Sequence, residues 1–458
     1  MRALWIGGLA LLLAAPLAMA KVSEEEAARL ERELNVRGAE VAGNADGSIP
    51  AWTGKWLGLP PGLTWKGPGQ EAYPDPYAAD KPLFSITADN MEQYAARLSD
   101  GQRALFRTYP GTFRIDVYPT HRDFDYTKEF KQRTLHNATH TELYNGNDGI
   151  AGYTGGVPFP IPKHGAEPIW NSRLHTTAFH QAGYYDDVAV FANGSRASRR
   201  SWIQQKVPFA DPALPIGSDY RDFNKYQAFV WTEVEIPVRD KGMITLILEP
   251  LDYTQLPRTV WRYMPGARRI RQAPNVGYDT PDGPGGITTV DDTLGFNGAM
   301  DRFEWTIVGR QEMYVPFHSY RFDDPAVKQD QLLMIGHANP DYMRWELRRV
   351  WIVEANLREG FRHIYGKRRF YIEEDSWAIA ITENYDGRGE LWKTVLINSY
   401  YAYDVNGYEK RNQMFHDLRA GIYNTTRIIN ETRPWNYSAP DPGADFFTTA
   451  NLRKAGKR

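Results

Sequence analysis

The sequence predicts a mainly β protein of the α+β type, built around one large curved antiparallel sheet. Residues 344–403 contain four successive runs in which side-chain character alternates with a period of two, and Gly-containing joints at 359–360 and 386–389 separate some of them. Tyr and Trp, which favour strands, occur 27 and 14 times, whereas helix-period runs are few. We therefore expect strands that are connected by tight hairpins.

The four runs place different side chains on the two faces of the predicted sheet. One face alternates Arg348, Glu354, Arg369, Glu373 and Tyr371. Because antiparallel sheets commonly have one solvated face, we expect this face to be wet and the opposite face to be covered. The expected apolar face consists of Leu347, Trp351, Val353, Phe370, Ile379, Ile381, Val395 and Ile397.

The first 20 residues have the three parts of a signal peptide. Residues 1–2 carry a positive charge, 4–17 form a short apolar run, and 18–20 form a small-x-small cleavage site. No later run reaches the roughly 20 apolar residues that a spanning helix needs. We expect cleavage after Ala20 and a soluble periplasmic chain without a transmembrane segment.

The chain of 458 residues contains no cysteine. It therefore has neither disulfides nor a thiol that could carry a lipid anchor, which fits a bacterial periplasmic protein that is not a lipoprotein. Without residues 1–20, 53 basic residues stand against 56 acidic ones, a net charge of −3 with His neutral. This balance does not indicate a nucleic-acid partner.

Helices are predicted mainly near the N-terminus. Ser23 is expected to cap a helix that begins with three glutamates, Thr87 is the candidate N-cap of a helix over 87–98, and 99–109 continues as a further short helix. Residues 44–82 between them are rich in Gly, Pro and Trp, which is typical of an irregular arm. Arms of this length are usually functional, so we expect this one to lie at a partner surface.

Strands are predicted through the middle of the chain. Residues 113–117 alternate apolar and charged side chains, and a hairpin is expected across 240–242. Residues 258–273 indicate two short strands around Pro265 and Gly266. Strand patterns return at 302–308 and 311–316.

Several motifs, in order, resemble those of one bacterial family. They are GAEVAGNADGSIPAWTG, DVYPTHRDF, GGVPFPIP, TVWRYMPGARRIRQAP, DRFEWTIVGRQEMYVPF and WELRRVWIVEA. The chain resembles the family known as domain of unknown function 1329 over nearly its whole mature length. Members of that family are described as similar to LolA and LolB, the outer-membrane lipoprotein-sorting carriers.

The resemblance implies an incomplete barrel of the LolA/LolB type, with helices covering its concave face. It also implies partners in envelope transport: an inner-membrane exporter of the resistance-nodulation-division class and an outer-membrane protein. We accordingly divide the chain into a signal peptide (1–20), N-terminal helices with the irregular arm (21–110), an antiparallel half-barrel domain (111–440) and a polar C-terminal tail (441–458).

An incomplete barrel must fill its apolar interior, and a removable filling leaves a pocket for an acyl chain or similar ligand. Strand parity and the resemblance select the candidate lining. The same side chains would also serve as ordinary core, where each one stabilises the fold by about 1.5–3 kcal/mol without a ligand. The candidate lining residues are Trp261, Tyr263, Trp305, Trp351, Phe370 and Val395.

Arg268, Arg269 and Arg271 form a dense basic cluster next to this lining. They are candidates for contact with an anionic headgroup or with an acidic partner. The alternative is a solvated face that pairs with carboxylates of the neighbouring strand.

Standard catalytic motifs such as Gly-x-Ser-x-Gly and His-Glu-x-x-His are missing from the sequence. His136 and His140 would share a helix face, with Glu142 nearby, but their polar surroundings favour surface histidines. Glu373 and Asp375 could act as an acid and a base, although a hairpin end is their alternative role. We predict no catalytic residue, no metal and no cofactor.

Two functions follow from these observations. We expect a periplasmic carrier or accessory protein that binds a lipid or other hydrophobic molecule and works with an envelope transport system. The alternative is a periplasmic hydrolase that acts on a carbohydrate or an ester in an aromatic-lined cleft, because sugar-binding clefts also use Trp and Tyr.

Overall fold

The computed structural model of the chain describes residues 21–273 and 277–456, so the predicted signal peptide lies outside the described residues. Strands dominate the described part. In chain order they are β1 (Phe84–Ile86), β2 (Ile115–Val117), β3 (Glu142–Tyr144), β4 (Gly149–Ala151), β5 (His180–Val190), β6 (Arg196–Lys206), β7 (Tyr226–Ile236), β8 (Ile244–Pro250), β9 (Thr259–Met264), β10 (Arg269–Gln272), β11 (Pro281–Asp282), β12 (Thr288–Thr289), β13 (Phe303–Pro316), β14 (Trp345–Leu357), β15 (Lys367–Glu373), β16 (Ile379–Tyr385), β17 (Leu391–Ala402), β18 (Gly407–Asp417) and β19 (Ile422–Ile428).

Fifteen of these strands form one sheet. Its main path runs β13-β14-β15-β16-β17-β18-β19-β5-β6-β7-β8-β9-β10, and all neighbours along it are antiparallel. Strands β1 and β2 join it through a parallel bridge between Val117 and Trp345. In the described part of the chain β13 and β10 do not pair, so the sheet is not closed into a barrel. The predicted fold class is confirmed.

Both faces of the region β14–β18 are covered. Tyr371, Leu396 and Met414 pack in one apolar cluster, whereas Phe370 and Val395 pack in another. Because neighbouring residues of a strand point to opposite faces, the two clusters lie on opposite sides of the sheet. The expectation of a wet face is therefore wrong.

The charged residues that suggested a wet face are mostly buried and paired. The Arg348 and Glu373 side chains are 1% and 0% exposed, and Nη2 of Arg348 lies 2.8 Å from Oε1 of Glu373. Arg369 and Glu354 also pair, and they are only partly exposed. Ion pairing allows charged side chains to occupy a covered face.

A bulge explains why the predicted apolar face divides between the two clusters. Tyr371 pairs with Ile381 and Ile372 pairs with Ile379, so that Ala380 is an extra residue in β16. One extra residue reverses the facing of the side chains beyond it. Ile379 and Ile381 accordingly pack in opposite clusters. Leu347 and Val353 of β14 also belong to different clusters, which the bulge in β16 does not explain.

Two connections differ from the expected tight turns. Strand β14 ends at Leu357 and β15 begins at Lys367, so the joint at 359–360 belongs to a longer loop. The predicted strands 302–308 and 311–316 are one strand, β13, with a register shift between Ile307 and Gly309. The hairpins β7–β8 and β9–β10 are confirmed.

Short helices and long loops cover the sheet. Ser23 caps its helix as predicted, and Ser99 caps the helix that follows residue 99; each forms a capping box. The first helix ends after one turn. The predicted helix over 87–98 contains the 3₁₀ helix Met91–Arg97, whose N-cap position is Asn90 rather than the predicted Thr87. The α-helices are α1 (Glu24–Ala27), α2 (Asp100–Thr108), α3 (Lys128–His140), α4 (Ala166–Arg173), α5 (Gln329–Leu332) and α6 (Thr449–Ala455).

Helix α3 and the C-terminal segment were not predicted. The buried face of α3 includes Arg133, Thr134 and Asn137, so the helix lacks a marked apolar stripe. At the C-terminus, Leu452 of α6 is fully buried among strands β7–β9. The segment that we expected to be a polar tail thus supplies part of the core.

Candidate ligand-binding site

A cavity lies at one end of the central strands. Its volume is about 500 Å³. It is bordered by the turn between β17 and β18, by the start of β5, by the loop that follows β6 and by α3. These strand ends meet because β17, β18, β19, β5 and β6 are successive antiparallel neighbours in the sheet. The cavity has the size of a small-molecule site, roughly 300–1,000 Å³.

Three phenylalanines give the cavity its apolar wall. Phe130 comes from α3, Phe179 precedes β5, and Phe209 follows β6. Phe130 packs against two apolar clusters of the core, and Phe209 belongs to one of them. The apolar wall therefore lies where two packed clusters of the core meet. Val405, Ala210, Pro212 and Ala439 extend it.

The wall also carries polar side chains. Arg133 donates to the carbonyl oxygens of Asp211, Pro212 and Leu214 at 3.1, 3.0 and 2.6 Å, which holds the loop after β6 in place. Thr177 and His180 line the same cavity. The Nε of Arg133 and the Oγ1 of Thr177 have no hydrogen-bond partner among the described residues, but both atoms are shielded from solvent. The cavity therefore combines an apolar wall with polar side chains.

Glu409 supports the cavity from behind. Its Oε1 accepts hydrogen bonds from the Thr176 hydroxyl at 2.6 Å and from the Thr177 backbone N–H at 3.3 Å, and both threonines line the cavity. Burial raises the pKa of Glu409 to about 7. Burial also lowers the pKa of His175, whose Nε2 lies 4.0 Å from Oε2 of Glu409, well below its ordinary value. Glu409 and His175 thus form a buried pair that carries little net charge.

A serine, a histidine and an aspartate lie near the mouth of the cavity, but their geometry is not that of a nucleophile and its base. The Ser438 hydroxyl donates to Oδ2 of Asp404 at 2.5 Å. His180 Nε2 faces Oδ1 of Asp441 at 3.5 Å, and burial lowers the pKa of His180. A serine nucleophile requires the hydrogen bond between hydroxyl and imidazole, which these side chains do not make in the described structure.

The predicted lining residues lie elsewhere, in two separate clusters. Trp305, Phe370 and Val395 are at most 5% exposed in the core cluster next to β14–β17, and the Trp305 and Phe370 ring centroids are 5.9 Å apart. Trp351 is partly buried against the same cluster. Nε1 of Trp305 donates to the Met300 carbonyl at 2.8 Å.

The other two predicted lining residues, Trp261 and Tyr263, pack beneath helix α6. The Tyr263 hydroxyl donates to the Gly456 carbonyl. The structure therefore brings four of the six predicted lining residues together and places these two apart from them. None of the six borders the 500 Å³ cavity.

The predicted basic cluster is exposed. Arg268, Arg269 and Arg271 lie in the turn and outer strand of the β9–β10 hairpin. Within the described residues, no carboxylate lies within 4 Å of their guanidinium groups, so the expected pairing with neighbouring acids is not present.

The other candidate residues take structural positions. Glu373 and Asp375 are buried at the β15–β16 turn, where both contact Arg348 at 2.8 Å. His136 and His140 stack on the surface of α3 with ring centroids 3.9 Å apart. Among residues 21–273 and 277–456, no group of three or more His, Asp or Glu side chains is arranged to hold a metal ion.

The cavity residues carry no motif that sequence reasoning could have used. Phe130, Phe179, Phe209 and Val405 come from four distant segments and meet only through the sheet topology. The available signal was a local one: the segments before β5 and after β6 hold Phe and Thr where solvent-exposed turns usually hold Gly, Asp or Asn.

The fold and the cavity define the class of the protein: an open antiparallel sheet with an amphipathic cavity at one end of its strands. In the described part of the chain, no helix has the length and apolarity needed to cross a membrane. The chain belongs to the family described as "Protein of unknown function (DUF1329)", whose model matches residues 85–453.

The chain is similar to several proteins of known sequence or structure. "Uncharacterized protein PA3922" of Pseudomonas aeruginosa is 38% identical over 470 residues, which cover 99% of this chain and 98% of that protein. A DUF1329 family protein from Desulfovibrio piger matches 61% of this chain and 93% of its own, with 11% identity and a TM-score of 0.41. The LolA superfamily protein NE2245 from Nitrosomonas europaea matches 64% of this chain and 100% of its own, with 10% identity and a TM-score of 0.39. At TM-scores below 0.5, the function has to be inferred from the cavity itself.

Proposed function

We propose that this protein is a carrier that binds one amphipathic molecule, an acyl chain or similar apolar group with a polar end, in the cavity beneath α3. The observation that supports the proposal is the volume of about 500 Å³ between Phe130, Phe179 and Phe209. A concave, largely apolar site of this volume that opens to the surface is typical of small-molecule binding sites. Its apolar wall favours an apolar occupant over water.

The polar groups at the same wall define the other end of the ligand. Arg133, Thr177 and His180 line the cavity, and the Arg133 guanidinium is held by carbonyl groups rather than by a carboxylate. These side chains favour a ligand with a polar or anionic end group over a purely apolar one.

The setting of this carrier is part of the proposal. Residues 1–20 have the pattern of a signal peptide, so the carrier would act in the periplasm. There it would work with an envelope transport system that includes an inner-membrane exporter and an outer-membrane protein. N-terminal sequencing of the protein from the periplasmic fraction tests the export step. A chain that begins at Lys21 is expected, and a chain that begins at Met1 contradicts it.

Ligand binding is tested by native mass spectrometry of gently purified protein and by titration with the apolar fluorophore N-phenyl-1-naphthylamine. We expect a co-purified apolar molecule at one per chain, and a fatty acid should displace the fluorophore. Ala210→Trp fills the cavity and should weaken fluorophore binding by tenfold or more. Ala213→Trp is the matched control, because Ala213 is exposed in the same loop and does not border the cavity. Equal binding by both variants would contradict the proposed site.

The hydrolase alternative makes a different prediction. An enzyme should release product from a panel of esters or oligosaccharides, and its turnover should fall when the cavity is filled by Ala210→Trp. Product release together with an empty protein in the mass spectrum would replace the carrier by the hydrolase.

A further inference from the structure

A second feature, independent of the cavity, lies at the opposite end of the strands. Lys206 of β6 pairs with Phe229 near the cavity, whereas Arg200 pairs with Ile236 at the far end of β7. At that far end, the turn between β7 and β8 and the turn between β9 and β10 lie side by side, because Ile244 pairs with Tyr263. A Cβ atom added to Gly242 would lie 3.4 Å from the Pro265 ring. We call residues 236–243 and 262–271 together the docking tip.

The docking tip exposes large apolar side chains. Val238 is 85% exposed at the apex of its turn, and Ile236 and Met264 are 42% and 41% exposed. Exposed apolar side chains that cluster within two adjacent turns mark an interaction surface more often than scattered ones do.

Basic side chains surround these apolar residues. Register pairs Arg269 with Met264 and Arg271 with Arg262, and because directly opposite residues share a face, all four side chains lie on one face of the hairpin. The other face, which holds Tyr263, packs against α6. Two arginines directly opposite each other repel, and an anionic partner would relieve this repulsion.

The charge of the docking tip is strongly one-sided. Arg239, Lys241, Arg262, Arg268, Arg269 and Arg271 are all exposed. Asp240 is the acidic residue within the two turns, and it pairs with Arg239 at 3.3 Å. The whole chain, by contrast, has a net charge of −2, so the basic tip stands against a mildly acidic molecule.

We propose that the docking tip attaches the protein to the surface of an anionic lipid bilayer. Apolar side chains at the apex would enter the interface while the surrounding arginines contact headgroup phosphates. An apolar apex with a basic rim fits a bilayer better than an acidic protein, because the apex has an apolar phase to enter. Since the cavity lies at the other end of the strands, the carrier could remain loaded while it is attached.

Sedimentation with phosphatidylglycerol-containing vesicles, and with pure phosphatidylcholine vesicles for comparison, tests the proposal on the mature full-length chain. We expect binding to the anionic vesicles alone, and weaker binding as salt is raised. Removing one arginine should lower the partition coefficient by roughly fivefold, the equivalent of about 1 kcal/mol per basic residue near an anionic surface. The double variant Arg269→Glu/Arg271→Glu should lower it further.

Matched controls separate the tip from general charge and hydrophobicity. Arg388→Glu changes an exposed arginine in another turn, and Leu83→Asp changes another exposed apolar residue, 63% exposed; both should bind as the wild type does. Val238→Asp should weaken binding without disturbing the fold, because its side chain is almost wholly exposed. No binding by the wild type, or binding that the tip variants leave unchanged, would overturn the proposal. Binding to polyglutamate with no binding to vesicles would assign the tip to an acidic protein and would also overturn it.

Discussion

The Thr176 hydroxyl donates a hydrogen bond of 2.6 Å to Oε1 of Glu409, which joins the wall of the cavity to strand β18. The acceptor is 3% exposed, and burial raises its pKa to about 7. We therefore expect the hydrogen bond that supports this wall of the proposed binding site to depend on pH near neutrality.

Glu409→Gln should change how stability depends on pH. The folded carboxyl holds its proton more tightly than the unfolded one, whose pKa is near 4.5. Its contribution to stability is therefore fully present below about pH 4.5 and is lost as the pH rises through about 7. Glutamine keeps the acceptor oxygen without the charge. The variant should gain on the order of 2–3 kcal/mol over the wild type above about pH 8 and nothing below about pH 4.5. Urea unfolding at both pH values measures this, with the exposed Glu390→Gln as the control; a difference that is independent of pH would be inconsistent with a buried, titrating Glu409.

Arg348→Met should strongly destabilise the fold. Arg348 contacts Glu373 and Asp375 at 2.8 Å and Glu346 at 3.4 Å, and all four side chains are nearly inaccessible. Removing the cation leaves buried carboxylates without their partner, which typically costs about 3–5 kcal/mol. Chemical denaturation measures the loss. Arg369→Met is the comparison, because its pair with Glu354 is partly exposed and should cost about 1 kcal/mol or less. Similar losses in both variants would show that burial does not set the cost.

Trp305→Ala and Phe179→Ala should separate stability from binding. Trp305 is 5% exposed in the core, so its truncation should cost about 3–5 kcal/mol. Phe179 is half-buried on the cavity wall, so its truncation should cost less but should weaken binding of the fluorophore more. Thermal unfolding and fluorophore titration on the same preparations give both quantities. If Trp305→Ala remains stable and loses binding, the lining predicted from strand parity is right and the cavity assignment is wrong.

Leu452→Asp should detach helix α6 from the edge of the sheet. Leu452 is fully buried against Trp231 and Leu246, and the Tyr263 hydroxyl reaches the end of the helix. Hydrogen exchange should therefore become faster in β8 and β9 and should not change in β14–β18. Arg453→Asp, on the exposed side of the helix, should leave exchange unaltered. Uniform acceleration across the sheet would mean that the helix supports the whole fold rather than its edge.

Local patterns predicted the strands well and their environment poorly. The period-two runs correctly indicated β14 to β17 and the β7–β8 hairpin, because alternation is a property of each strand alone. The same runs could not show that Arg348 and Glu373 form a buried ion pair across neighbouring strands. The prediction of a solvent-exposed face was wrong for this reason. Ala380 is one extra residue in β16, and because of it the side chains of Ile379 and Ile381 point to opposite faces of the sheet.

The proposed binding site was harder to predict than the fold. Helix α3 buries Arg133 and Asn137, whose polar character hid the helix from a search for apolar stripes. The cavity wall joins Phe130, Phe179 and Phe209, which come together only when β5, β6, β17 and β18 take their order in the sheet. That order depends on long-range pairing, which no local pattern encodes.

Photolabelling with a diazirine-bearing fatty acid, followed by peptide mapping, tests the central claim most directly. If the cavity is the ligand site, we expect labels in residues 127–133, 176–180, 209–212 and 404–406, because these segments border it. We also expect Ala210→Trp to remove these labels and Ala213→Trp to leave them. Labels around Trp305, Phe370 and Val395, or labels that unlabelled fatty acid fails to displace from any position, would contradict the cavity beneath α3 as the ligand site.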